Sequence, residues 1–347
     1  MERSAQLPII VQHNRTDFFH LSANSSSTTA ALALIADDMR GMDGVIEVRL
    51  TSDVPLVSQV SQYIIAAGGK RLRPALLLLM CGALEQRSEQ RLNMAAVVEF
   101  IHTATLLHDD VVDESTLRRG RATANEVFGN PASVLVGDFL YSRAFQMMVE
   151  AGDMRIMQTL AEATNVIAEG EVLQLMNMHN ADLSEDDYLT VIRSKTAKLF
   201  EASARLAALL AKSNPVVEQS CADYGQALGT AFQVIDDVLD YAGDAQVMGK
   251  NLGDDLREGK ATLPLIIAMQ RSTDAEGATI RQAIETGGLE NMGQIMAIVE
   301  KTDALEATRL VAASEAQRAL NALQGLPQNK YSQALYQLAS QLLDRRS

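Results

Sequence analysis

Asn130-Pro131-Ala-Ser-Val-Leu-Val-Gly-Asp-Phe-Leu-Tyr-Ser-Arg-Ala-Phe-Gln-Met147-Met148-Val-Glu150 opens the longest proline-free tract of the chain, which continues to Asn214-Pro215. Proline inside a helix removes a hydrogen bond and clashes with the preceding turn. So long a gap, rich in Ala, Leu, Met, Glu and Gln, therefore favours helices, and turn clusters at strand-like intervals are missing. Working outward, the prolines at 8, 55, 74, 131, 215, 264 and 327 punctuate helices expected at 28–40, 45–66, 74–86, 90–114, 131–151, 154–178, 184–212, 216–243, 260–271, 276–302 and 304–345, the last two broken. Asn130-Pro131 and Asn214-Pro215 read as N-caps with proline at the first helical position. Ser184 and Asp187 read as a capping box, with Leu183 and Tyr188 as its hydrophobic staple. The expected fold class is all-α.

The chain has 347 residues, 30 basic against 44 acidic, and 47% hydrophobic side chains. That composition supports a sizeable core and excludes a disordered polyelectrolyte. A net charge of -14 and only 4% aromatics argue against a nucleic-acid surface. Cys81 and Cys221 alone give no disulfide framework and fit a reducing compartment. The apolar runs Leu7 to Val11 and Pro74 to Leu84 are too short for a signal core and a membrane span respectively. A soluble, cytoplasmic protein is expected. No fixed-period repeat is visible. Residues 1–27, ending in the polar run Asn24 to Ser27, read as a flexible arm, and 28–347 as one helical domain.

Chemistry enters with Asp109-Asp110-Val-Val-Asp113-Glu114, set in the apolar stretch Glu99 to Val112. Helical geometry puts Asp109 and Asp113 one turn apart on one face, with Asp110 beside them. A solvated charge run is the ordinary reading of one such cluster. Against it stand the interleaved Leu106, Leu107, Val111 and Val112, and a second copy, Asp236-Asp237-Val-Leu-Asp240. Carboxylates gathered in apolar helices either take up protons or bind cations. Hard oxygen ligands on two helices suit Mg²⁺, which keeps waters and bridges to substrate phosphates.

Basic groups offer the matching anion site. Gly68-Gly69-Lys70-Arg71-Leu72-Arg73-Pro74 joins two helices, and Lys70 and Arg73 are placed to grip a diphosphate, Arg73 through its fork. Arg118-Arg119-Gly120 follows the first acidic cluster closely, either sharing the anion or balancing charge at a helix end. His102 lies seven residues before Asp109 on nearly the same face. Lys195-Thr196 sits in mid-helix, and Gln233 shares a face with Asp237 and Asp240. Lys250 and Lys260 belong to the Gly-rich stretch 249–260, which reads as a mobile flap or a plain polar loop. Met147 and Met148 would ordinarily be core.

GGKRLRP, DDVVDE with RRG behind it, SKT, FQVIDDVLD and GKNLGDDLREGKATLP stand here in the order seen in trans-prenyl diphosphate synthases, and the chain resembles that family over residues 45–347. The resemblance implies an all-α isoprenoid-synthase-type helical bundle around a central cavity, working as a homodimer. It implies Mg²⁺ on Asp109, Asp110, Asp113, Asp236, Asp237 and Asp240. Isopentenyl diphosphate would meet Lys70, Arg73, His102 and Arg119. The allylic prenyl diphosphate would meet Arg118, Lys195, Thr196, Gln233, Lys250 and Lys260. The implied reaction elongates an allylic starter, expected to be farnesyl diphosphate, to an all-trans-octaprenyl product for a quinone side chain. Ala104 and Thr105 would then flank the mouth of a tunnel for the growing tail, with Met147 and Met148 at its floor.

Three rivals fit less well. A terpene cyclase has no use for Lys70, Arg73 and Arg119. A di-iron bundle needs two Glu-x-x-His motifs, and only Glu99-Phe-Ile-His102 is present. A helical scaffold leaves both acid clusters unexplained.

Overall fold

In a computed structural model of the chain, residues 31–66, 68–118, 120–242 and 253–343 are described. Four helices come first: α1 (Ala36–Arg49), α2 (Pro55–Ala66), α3 (Leu72–Ala83) and α4 (Gln90–Val112). A two-stranded antiparallel ribbon follows, β1 (Leu117–Arg118) pairing with β2 (Arg121–Ala122). Next come α5 (Ala124–Phe128), α6 (Asn130–Glu150), α7 (Met154–Asn177) and α8 (Glu185–Ile192). A π-helical turn, Arg193–Ala197, leads directly into α9 (Lys198–Leu210), and α10 (Pro215–Ala242) is the longest helix described. The rest is α11 (Asp254–Arg257), α12 (Leu263–Arg271), α13 (Asp274–Thr286), α14 (Met292–Lys301), α15 (Ala304–Ala322) and α16 (Lys330–Leu343). No described helix is long and apolar enough to cross a membrane.

The uninterrupted apolar run after Pro74 becomes α3, buried on every side from Pro74 to Ala83, as a helix hydrophobic all round must be. It packs within a core shared by α4, α6, α9, α16 and the first half of α10. A second core gathers α8, α12 to α15 and the far half of α10. Helix α10 thus runs through both cores: Tyr224 and Leu228 lie in the first, Val234 and Tyr241 in the second. Its close approach to α9 depends on Gly225, where a Cβ would lie 2.8 Å from the Glu201 Cα. The Tyr224 hydroxyl donates to the Leu335 carbonyl at 2.7 Å, tying α16 to the same helix.

The long helices match expectation within about three residues, and some details differ. The segments expected at 28–40 and 45–66 are divided at Leu50 rather than near Gly41, because Pro55 can only open a helix. Asn130 is the first residue of α6 and Gly129, at φ +85°, holds the cap position instead. Asn214 does cap α10, its Oδ1 accepting from the Val216 and Val217 amides at 3.0 Å. Ser184 caps α8, but Asp187 accepts the Ser184 hydroxyl rather than a backbone amide, so the box is not reciprocal. The reciprocal box stands at Thr273 and Glu276, opening α13. The arm 1–27 lies outside the described residues.

Candidate active site

The C-terminal half of α4, the start of α3, β1, the end of α7, α8 with the π turn, the second half of α10 and the segment 253–262 enclose a chamber of about 1240 Å³. Asp109 and Asp113 face it from α4, Asp236 and Asp237 from α10. Asp109 stands 3.9 Å from the Lys195 Nζ, and Asp113 3.6 Å from the Lys260 Nζ. Burial raises the affinity of Asp109 for its proton, against the pull of Lys195. Asp237 is pushed up to about 8, by burial first and then by the charge of Asp255.

Two of the six aspartates expected as ligands do not line this space. Asp110 is fully buried, rotated about 100° from Asp109 by the helix, and its Oδ1 accepts from Arg118 Nε at 2.8 Å and Nη2 at 2.5 Å. Asp240 is buried and takes the Asp255 amide at 3.3 Å, while its backbone carbonyl takes the Gly253 amide at 3.1 Å. Both aspartates fasten the segments that bring Arg118 and residues 253–255 to the chamber.

Lys70, Arg73, His102, Arg118, Lys195, Thr196, Gln233 and Lys260 all line the chamber. Arg73 donates to the His102 Nε2 at 3.2 Å and its guanidinium lies 4.5 Å above the Phe200 ring. Burial lowers its pKa to about 10, with Glu99 opposing. Arg71, at φ +43° in the turn before α3, pairs instead with Asp43 and, at 3.7 Å, with Glu99. Thr196 donates to the Gln233 side-chain oxygen at 3.0 Å, and Gln233 donates to Asp237 at 2.8 Å. Lys260 is shared between Asp113 and Glu258; burial pulls its pKa down, but Asp255, Asp113 and Glu258 together raise it. Arg119 and Lys250 lie outside the described residues.

Two wall residues were given no site role from the sequence. The Tyr188 hydroxyl, expected only as part of a hydrophobic staple, donates to Asp237 at 2.6 Å. Glu171 takes the Lys195 ammonium at 2.5 Å and is raised to about 7, chiefly by burial. A single acid among the polar positions of α7 looks like any solvated residue, so only the packing exposes it.

A second cavity of about 870 Å³ adjoins the chamber, sharing Thr105, Asp109, Glu171 and Gln174 with it. It runs between α4, α6 and α7 past Tyr141, Ser142 and Phe145 to Ala161 and Thr164. From Gln174 to Ala161 the helical rise is roughly 20 Å. Thr105, expected at the mouth of a tunnel, lines this cavity. Ala104 does not: it is fully buried, because a helix returns to one face after four residues rather than five. Met147 and Met148 do not line it either and are buried in the main core. Phe145 and Ala161 hold the lower wall in their place.

The chamber wall carries more acids than bases. Among the described residues, no three acids or histidines converge closely enough to hold a metal unaided. Carboxylates offered in ones and twos suit a divalent ion that completes its shell with water and phosphate oxygens. The buried acids with raised proton affinity are those that a cation would relieve. The donor set therefore fits a divalent metal held jointly with a diphosphate.

Residues 54–302 match the polyprenyl synthetase family model, and the chain belongs to that family. Octaprenyl diphosphate synthase of Escherichia coli (strain K12) is 51% identical over 307 residues, covering 88% of this chain and 95% of that protein. The all-trans-nonaprenyl-diphosphate synthase (geranyl-diphosphate specific) of Rhodobacter capsulatus is 47% identical, covering 90% of this chain and 97% of its own. The crystal structure of a polyprenyl synthase from Caulobacter crescentus CB15, complexed with calcium and isoprenyl diphosphate, superposes with a TM-score of 0.89 at 44% identity, covering 92% and 98% of the two chains.

Proposed function

We propose that the protein is a chain-elongating trans-prenyltransferase that adds isopentenyl diphosphate to an allylic starter, farnesyl diphosphate, and releases all-trans-octaprenyl diphosphate, the precursor of a quinone side chain. The observation that carries this reading is the junction of two unlike spaces. A charged chamber with aspartates on facing helices opens, past Thr105 and Glu171, into a channel with mainly apolar walls. A charged head with a long hydrocarbon tail needs both.

In this reading Lys195, Thr196, Gln233, Arg118, Lys250 and Lys260 hold the allylic diphosphate. Lys70, Arg73, His102 and Arg119 hold isopentenyl diphosphate alongside. Asp109, Asp113, Asp236 and Asp237 hold Mg²⁺, which when bound neutralises charge growing on the departing diphosphate. Fixed cations do the same from the wall, the largest expected contribution to rate. Gln233 and Tyr188 orient the Asp237 carboxylate by donating to its two oxygens. The allylic C–O bond breaks, the isopentenyl double bond attacks the resulting cation, and the released diphosphate takes the proton, since no other base stands out. Phe145 bounds the channel from α6 and Ala161 from α7, so these two residues bear on product length.

Exposed apolar side chains on α6 and α7, including Leu135, Val149, Val172 and Met176, suit a homodimer formed through these helices, working in the cytoplasm. A nonaprenyl product is the second reading, favoured by the 47% identity to a synthase of that length. Incubation with labelled isopentenyl diphosphate, farnesyl diphosphate and Mg²⁺ should convert label to an apolar diphosphate, and chelator should abolish it. Incorporation unchanged by chelator would refute the metal-assisted reading.

A further inference from the structure

We propose that Glu171 is a positioning residue: it holds the Lys195 ammonium at the neck between chamber and channel and off Asp109, leaving Lys195 for the diphosphate and Asp109 for the cation. The inference rests on the reading of Lys195 and Asp109 given above and adds a residue to which that reading assigns no role.

The geometry starts at the backbone. The π turn Arg193–Ala197 interrupts the helical register of α8 and α9 and sets the direction of Lys195. Such turns recur where a helix must re-aim a functional side chain. Helix α7 meets this turn at Gly170, where a Cβ would lie 2.8 Å from both the Lys195 backbone nitrogen and the Ser194 Cβ. The next residue on α7 is Glu171, so backbone contact at Gly170 delivers its carboxylate to Lys195. The ammonium sits 2.5 Å from Glu171 and 3.9 Å from Asp109, and both side chains of the close pair are largely shielded, at 19% and 28% exposure. Two carboxylates therefore compete for one flexible cation, and Glu171 has it. Without Glu171 the ammonium closes on Asp109 and occupies a carboxylate that the cation needs. Glu171 and Asp109 both border chamber and channel, so the competition takes place where head group and tail divide.

The test is calorimetric binding of an unreactive thiolo analogue of farnesyl diphosphate across a Mg²⁺ titration. In Glu171→Ala the Mg²⁺ concentration giving half-maximal binding should rise roughly tenfold, as loss of one charge-assisted contact implies. Affinity for isopentenyl diphosphate should stay unchanged, and Glu171→Gln, which keeps an acceptor oxygen, should fall between. In a Lys195→Ala background the effect of Glu171→Ala should vanish or reverse. An unaltered Mg²⁺ requirement, or the same loss with and without Lys195, overturns the proposal. If Lys195→Ala alone leaves analogue binding intact, the assignment of Lys195 falls, and the proposal with it. The silent variant tells the two failures apart.

Discussion

Asp109 and Asp110 are neighbours in sequence with opposite surroundings, one on the chamber wall and the other buried against Arg118. Helical spacing made the shared face of Asp109 and Asp113 legible, and two copies of the motif made a cation site legible. Which acid in each cluster turns inward was not legible, because it depends on the packing of β1 and of residues 253–255. Asp109→Ala and Asp236→Ala should each lower turnover by about 10²-fold or more, the scale of losing one stabiliser of developing charge. Circular dichroism should show helix content unchanged, and a small rate loss in both variants would count against them. The basic residues divide by substrate: Lys70→Ala or Arg73→Ala should raise the KM for isopentenyl diphosphate, Lys195→Ala that for the allylic partner. Steady-state titration of each substrate checks this, and a crossed pattern would reverse the assignments.

Among the elements, α6 and α7 were readable from composition, yet the π turn between α8 and α9 was not. Its sequence, Arg193-Ser-Lys-Thr-Ala197, contains nothing that breaks a helix; the structure shows the turn packed closely between Gly170 of α7 and Gly229 of α10. The floor expected at Met147 and Met148 rested on their depth along the helix, with core packing as the other reading, whereas the face that α6 turns to the cavity is set by its contacts with α4 and α7. Thr105→Tyr places a ring at the neck and should shorten the products. Phe145→Ala should lengthen them. Chromatography of dephosphorylated products decides both, and an unchanged distribution in the two variants would displace the channel. Gly225→Ala tests the α9–α10 contact on its own. Its methyl group meets backbone rather than a flexible side chain, so a stability loss of about 1–3 kcal/mol is expected in urea unfolding.

At the scale of the whole molecule, the buried acids couple the chamber to stability. Asp237 has its pKa raised to about 8 by burial and by Asp255, and Glu171 to about 7. A raised carboxyl pKa means that the folded state keeps a proton which the unfolded chain releases. That contribution is present at low pH and is lost as pH rises from about 4 to about 8. Without divalent cation, the melting temperature should therefore fall from about pH 5 to about pH 8, less steeply in Asp237→Asn, and Mg²⁺ should restore it on the alkaline side. A melting temperature insensitive to both would show the carboxylates already satisfied. The overall helical class was legible because proline spacing and helix-forming composition agree over long stretches. The division of α10 between two cores was not, since both halves share one apolar periodicity. On the function proposed above, a charged chamber feeding an apolar channel makes a long prenyl chain of set length. The most direct test of that function is the chain length of the product formed from farnesyl diphosphate, excess isopentenyl diphosphate and Mg²⁺, read by mass spectrometry. A dominant octaprenyl diphosphate is expected, whereas products ending at geranylgeranyl length, or no elongation at all, would contradict it.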